Sequence, residues 1–452
     1  MFIFKEYIGV VPNANLTEDY RLNLTKNIVY ELNSSEYSSR SEVGREGVRN
    51  RVRILTNSNL IFIIMRFKSA IQRDLDCFFK ELLSHDFNIR TVTKSAFTKA
   101  RAKLNPWGFK RLNEVAVNTF YEQAPYHKWH DKRVLAVDGS RLMLPNHPTI
   151  IEEFGQQEFG PKADSKRSMA IGSVLYDCLN YLCLDSDLAP FDGSERDLLL
   201  NHLQYINEGD LLLLDRGYPC FWLLFLLKAK KIDFCVRLKD NWWLEVNEFQ
   251  QSNETERIVE FSLPKKDKEK LAEYPDYQNT KIKCRLVKVF LENGETEILC
   301  TSLIDQVEFK HEVFKELYGL RWNEEEGYKL LKSRIEVERF SGKTALSVKQ
   351  DFHSKILLMT LTAAFAHPIE EKVRAEFKAD EYRIHNQKIN RTNALAAMRE
   401  NTIGLFLKEI IENAIAAFDK IVYSTREIIR NGRSFPRKHK PKRRYSPNYK
   451  PL

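Results

Sequence analysis

The strongest constraint in this sequence is a series of short apolar runs that begins after Arg133 and alternates with helix-period segments. Residues 134–137 (VLAV), 169–175 and 181–188 have the period-two or continuous apolar character of strands, the last two joined by a turn around Asn180. A helix is expected over 196–206, a buried strand over 211–214, a helix over 220–230 and a strand over 234–238. A strand covered on both faces has no solvent side, so it reads as a continuous apolar run. A layered α/β domain follows.

Two of these runs end on an acid. Asp138 follows residues 134–137 and opens Asp138-Gly139-Ser140; Asp215 follows 211–214 and opens Asp215-Arg216-Gly217-Tyr218. Both carboxylates are expected at strand ends, where burial is costly unless the charge is paired or bound to a cation. Two acids placed alike point to an oxygen-ligand metal site. Each alone also reads as a turn former, because Asp and Gly supply turn geometry.

A long helix expected over 310–332 carries YGLRWNEEEGYKLLK from Tyr318 to Lys332. At ~100° per residue, Tyr318, Arg321, Glu325, Lys329 and Lys332 share an arc of about 80° on one helix face. Leu317, Leu320, Tyr328 and Leu331 occupy the adjoining arc and give the helix a side to bury. Arg321–Glu325 and Glu325–Lys329 are i,i+4 pairs of a kind that stabilises many helices by ~0.2–0.5 kcal/mol each. Such pairing accounts for three of the five residues and leaves Tyr318 and Lys332 unexplained.

The spacing Tyr-x2-Arg-x3-Glu-x6-Lys resembles the Y-R-E-K signature of insertion-sequence DDE transposases of the IS-four family. The likeness extends to Asp-Gly-Ser at 138–140, Asp-Arg-Gly-Tyr at 215–218, a strand-rich insertion between them and the Glu, and the basic segment SAFTKARAKL, so it spans roughly residues 50–400. The resemblance implies an α/β fold: a ribonuclease-H-like catalytic core interrupted by a β-rich insertion, with helical N-terminal and C-terminal regions. It assigns Asp138, Asp215 and Glu325 to a pair of Mg²⁺ ions, with Mn²⁺ as a substitute. Tyr318, Arg321 and Lys332 match positions that contact DNA phosphates near the cleaved end, with Lys329 and Arg216 as further members. The implied activity is cleavage of DNA at the element's ends and transfer of the 3′-OH ends into target DNA. The implied partners are double-stranded DNA, as element ends and as target, and a second copy in a synaptic homodimer; the implied setting is the bacterial cytoplasm, at the nucleoid. Two alternatives stay open: a ribonuclease-H-like nuclease or resolvase that never joins DNA, and a catalytically silent DNA-binding descendant of a transposase. A carboxylate-pair sugar hydrolase would need aromatic platforms where this chain has basic ones.

These readings divide the chain into a helical DNA-binding region (1–130), the first part of the core (131–239), the β-rich insertion (240–300), the remainder of the core with the Glu-bearing helix (301–345), a helical C-terminal region (346–430) and a basic flexible tail (431–452). Residues 60–83 and 95–104 read as helices, and Lys94, Lys99, Arg101 and Lys103 make the second a candidate DNA contact. In the insertion, Ile282, Cys284 and Leu286 alternate with Lys283 and Arg285 before the turn Glu292-Asn293-Gly294-Glu295, which predicts a hairpin with one basic face. Trp242 and Trp243 suggest stacking on a flipped base, but core packing is the expected role.

Charge is concentrated at one end. Of the formal +9, residues 431–452 hold eight Lys or Arg and no acid, leaving 9 − 8 = +1 elsewhere. Such a tail suits non-specific phosphate binding. The seven cysteines form no CxxC pair, so reduced, mostly buried thiols are expected. The longest apolar stretches are 60–65, 211–214 and 221–227, far below the ~20 residues that span a bilayer, and the first residues lack the features of a secretory signal, so no membrane is expected.

Overall fold

The structure is a computed structural model that describes residues 7–11, 19–42, 54–68, 70–159, 165–239, 243–291, 294–379, 385–408 and 410–429. Trp242, part of the 292–295 turn and the tail 431–452 lie outside them. The chain forms two compact units: Met1–Pro12 with Pro125–Ser140 and Ile171–Tyr328, and Asn13–Ala124 with Arg141–Ala170 and Lys329–Leu452.

The first unit is built on one sheet of eight strands: β1 (Val134–Met143), β2 (Met169–Asp177), β3 (Cys183–Pro190), β4 (Leu211–Leu214), β5 (Asp233–Arg237), β6 (Glu256–Ser262), β7 (Lys281–Phe290) and β8 (Thr296–Thr301). Their order across the sheet is β6-β7-β8-β5-β4-β1-β2-β3. Within it, β3-β2-β1-β4-β5 is the strand order of a ribonuclease-H-like core. The strands of the insertion continue the sheet on the β5 side, where β8 pairs antiparallel with β5 through Leu299↔Arg237 and Cys300↔Val236.

β4 runs parallel to β1 and β5, and all four of its leucines are fully buried, as a central strand covered on both faces requires. Parallel neighbours need a crossover, and helix α2 (Phe221–Ala229) supplies it between β4 and β5. Helix α1 (Glu195–His202) precedes β4 and is fastened to β2 and β3 by a buried relay: His202 Nε2 lies 3.0 Å from Ser173 Oγ, and His202 Nδ1 lies 2.8 Å from Asp185 Oδ2. Ser173 and His202 are fully buried, so this Ser-His-Asp set satisfies polar groups inside the fold and offers no substrate access.

Several expectations need correction. β1 extends to Met143, so Asp138 lies within a strand and not at its end; what changes there is exposure, from the buried 134–137 to half-buried 138–140. The helix expected over 310–332 is two, α3 (Val313–Gly319) and α4 (Trp322–Ser333). The helix expected over 60–83 is also two, Asn57–Arg66 and Ile71–Leu82; at the break the Lys68 backbone N–H donates to Asp74 Oδ2 at 2.9 Å. Arg285 is not part of a basic face: it is fully buried, paired with Glu256 and donating to the Phe309 carbonyl at 2.6 Å. The hairpin itself forms, with Lys281 and Lys283 exposed. Trp243 packs face to face on Phe221 with ring centroids 4.3 Å apart. Five of the seven free cysteines are buried.

The second unit is helical and centres on α5 (Ala345–Ala379), which packs against Trp107–Gln123, Asn57–Arg66 and Arg391–Phe406. Arg101 is buried here, bonded to Asp351 at 2.7 Å and to the Ser347 carbonyl at 2.8 Å, and so is withdrawn from any surface. Lys94, Lys99 and Lys103 remain exposed on the same segment.

Candidate active site

The parallel register of β1 and β4 pairs Val134 with Leu211, Leu135 with Leu212 and Ala136 with Leu213. Two residues further along each chain come Asp138 and Asp215. Adjacent parallel strands lie about 4.8 Å apart, so equal offsets put the two acids side by side. Each accepts from a glycine that follows it: Asp138 Oδ1 from Gly139 N at 2.8 Å within β1, and Asp215 Oδ1 from Gly217 N at 2.7 Å in the turn after β4. Burial first, and the Asp215 charge second, push the Asp138 carboxyl up to about 6. Two facing carboxylates in a poorly solvated place repel unless a proton or a cation intervenes.

Helix α4 lies against this pair. Tyr328 donates its hydroxyl to the Asp138 carbonyl at 2.8 Å and is 3.1 Å from the Gly172 carbonyl, and Asn323 Nδ2 donates to the Cys178 carbonyl at 2.9 Å. These bonds turn the 324 position inward. Glu324 is 1% exposed, and neither carboxylate oxygen has a hydrogen-bond partner. Burial above all, with the Asp138 carboxylate next, raises its carboxyl well above the ordinary range.

Glu325 is half-buried, and its Oε1 accepts from Arg321 Nη2 at 2.8 Å. The Arg321 guanidinium, itself buried, thus bears on Glu325 through this ion pair and on Asp138, whose proton affinity it lowers. Tyr318 is buried under Arg321, its hydroxyl 3.4 Å from the Leu214 carbonyl. Arg216 is exposed beside Asp215. Lys329 and Lys332 belong to the second unit, where Lys332 Nζ donates to the Arg141 carbonyl at 2.8 Å.

Two acids here were not singled out from sequence. Glu324 falls at the centre of the arc that holds Leu317, Leu320, Tyr328 and Leu331, so an acid on a packed face was its signal. Glu195 had none beyond its place at the start of α1. Its carboxylate lies against the glycines that follow both aspartates: a methyl group at Gly139 would lie 2.6 Å from Glu195 Oε1, and one at Gly217 would lie 3.5 Å from Glu195 Oε2. Tyr218 is fully buried with no partner for its hydroxyl, and the charges that bear on it are those of Glu195, Glu324, Asp138 and Asp215.

Among the described residues, no three of these acids bring ligand atoms within 4.8 Å of one another. They do not converge on one point, as the ligands of a single ion would; two hard divalent ions about 3.5–4 Å apart divide their ligands between them. An all-oxygen donor set, an orphaned buried carboxylate and an orphaned buried hydroxyl fit that class of ion.

The family profile described as "Transposase DDE domain" matches residues 129–361. The chain is 22% identical over 254 residues to the Escherichia coli K12 protein "Transposase InsG for insertion sequence element IS4", covering 55% of each chain. It is 24% identical over 143 residues to the "Putative transposase InsZ" of the same organism, covering 31% of this chain and 47% of that one. It thus spans about half the length of the curated relatives it matches. A solved piggyBac transposase synaptic complex with hairpin DNA aligns over 91% of this chain and 87% of that one, with 10% identity and a TM-score of 0.44. With a domain match over more than half of its length, this chain belongs to the insertion-sequence DDE transposases.

Proposed function

We propose that this protein binds the ends of an insertion sequence, cleaves their phosphodiester bonds and transfers the freed 3′-OH ends into target DNA. The observation that carries this reading is the equal offset of Asp138 and Asp215 from the last paired residues of β1 and β4, which makes two half-buried carboxylates neighbours. Asp138, Asp215 and Glu325 would hold two Mg²⁺ ions, with Mn²⁺ able to replace them. When bound, such ions activate the attacking hydroxyl and relieve charge on the phosphate and the leaving oxygen.

The remaining roles fall to this chain's own side chains. Arg321 holds the Glu325 carboxylate through their ion pair. Tyr318, Arg321, Arg216, Lys329 and Lys332 would hold DNA phosphates, fixing register without reading sequence. The exposed Lys94, Lys99 and Lys103 support a DNA-contacting role for region 1–130, which would read the element's ends. A homodimer would bring two ends to one target, and the bacterial cytoplasm is the setting.

A duplex bearing the element's end, incubated with the purified chain and Mg²⁺, tests the reading. Cleavage and strand transfer are both expected, and Asp138→Ala, Asp215→Ala and Glu325→Ala should each reduce both to background. Cleavage without a joined product would assign the chain to the nucleases or resolvases. Undiminished cleavage by Glu325→Ala would shift the third acid to another residue, with buried Glu324 first in line.

A further inference from the structure

We propose that Glu195 is a fourth carboxylate of the metal centre, reaching in from the start of α1 to lie between Asp138 on β1 and the turn that carries Asp215; this rests on the two-metal reading above. A glutamate in the first turn of a helix is favoured by the helix dipole wherever it points, and solvent is the usual direction. Glu195 is half-buried and points at the sheet. Its Oε1 occupies the place a Gly139 Cβ would need, and its Oε2 and Asp215 Oδ1 both lie within 3.5 Å of the place a Gly217 Cβ would need. A side chain at either glycine would force the carboxylate to move. The next residue locks the approach: Arg196 donates to the carbonyls of Tyr218 at 2.8 Å and Gly217 at 2.9 Å, so the start of α1 and the Asp215 turn form one piece. At its other end the His202 relay holds α1 to β2 and β3.

The occupant is indicated independently of the acids' mere proximity. The Tyr218 hydroxyl, three residues after Asp215, is fully buried with no hydrogen-bond partner, neither oxygen of the buried Glu324 carboxylate has one, and the charge of Asp138 bears on both groups. Leaving such groups unsatisfied is costly, more so when charged, whereas a divalent ion with its waters supplies what they lack.

Manganese binding to the full chain by calorimetry tests this, with melting in EDTA as a control on folding. Glu195→Gln, which keeps the shape and removes the charge, should weaken Mn²⁺ binding about 10- to 100-fold. Gly139→Ala, which keeps the charge and displaces it, should do the same, and Glu195→Asp should recover part of the loss. Melting in EDTA should show each variant folded with a single transition, Glu195→Gln melting no lower than the wild type because one charge that bears on Asp138 is gone. If either Glu195→Gln or Gly139→Ala binds Mn²⁺ like the wild type while Asp138→Asn does not bind it, the role of Glu195 is overturned and the proposed function stands. If the wild type binds no Mn²⁺, or binding survives Asp138→Asn, both are overturned.

Discussion

Asp138 shows what the site demands of single residues. Burial and the neighbouring Asp215 push its carboxyl from the ordinary 3.8 up to about 6, so the folded chain holds a proton there that the unfolded chain releases. Stability from this group is therefore full below about pH 4 and is lost as pH rises to about 6, a difference of about 3 kcal/mol. In EDTA, the melting temperature should fall over that window, and Asp138→Asn should flatten the fall and melt higher at neutral pH while abolishing cleavage. Identical pH profiles for the two proteins would show that the carboxyl is well solvated. Mn²⁺ should restore the wild-type melting temperature and leave Asp138→Asn unmoved. At this scale the sequence singled out the aspartates by their position after apolar runs, but nothing local pointed to Glu195, whose proposed part depends on two glycines 56 and 22 residues away.

Among the elements, α4 decides which acids face the aspartates. Its Tyr328 hydroxyl serves two carbonyls on different strands, Asp138 and Gly172. Tyr328→Phe leaves both acceptors buried, and a loss of about 1–3 kcal/mol is expected in chemical denaturation. If α4 sets the site, Mn²⁺ affinity should fall in the same variant; a stability loss with unchanged metal binding would confine Tyr328 to packing. The helical period was legible in sequence, and with it both the Tyr318–Lys332 stripe and the apolar arc. The break between α3 and α4 was not, because the turn at Leu320 and Arg321 contains no proline and follows from how the two halves are anchored. That anchoring also turns Glu324 to the interior and leaves Glu325 with Arg321.

At the scale of the whole molecule, charge is sorted between interior and surface in ways that residue type alone does not settle. Arg101 and Asp351 form a buried pair within the second unit, so Arg101→Ala should cost about 3–5 kcal/mol by stranding a buried carboxylate; a loss confined to DNA affinity, with folding intact, would restore Arg101 to a surface role. The basic tail makes a separate prediction. Deleting residues 431–452, with their eight Lys or Arg, should shrink the slope of log affinity against log salt on non-specific duplex by up to about 7, and an unchanged slope would exclude the tail from phosphate contact. By itself the sequence determined the order of strands and helices in the core and the family signature, and it pointed to the two aspartates, because periodicity, apolar runs and spacing are local properties of the chain. Only the tertiary structure decided that Arg101 and Arg285 are interior, that Glu324 is buried and that Glu195 lies against the glycines that follow both aspartates. Those outcomes depend on strand register and helix docking, which bring together residues far apart in the chain and fix which side of each is left to water.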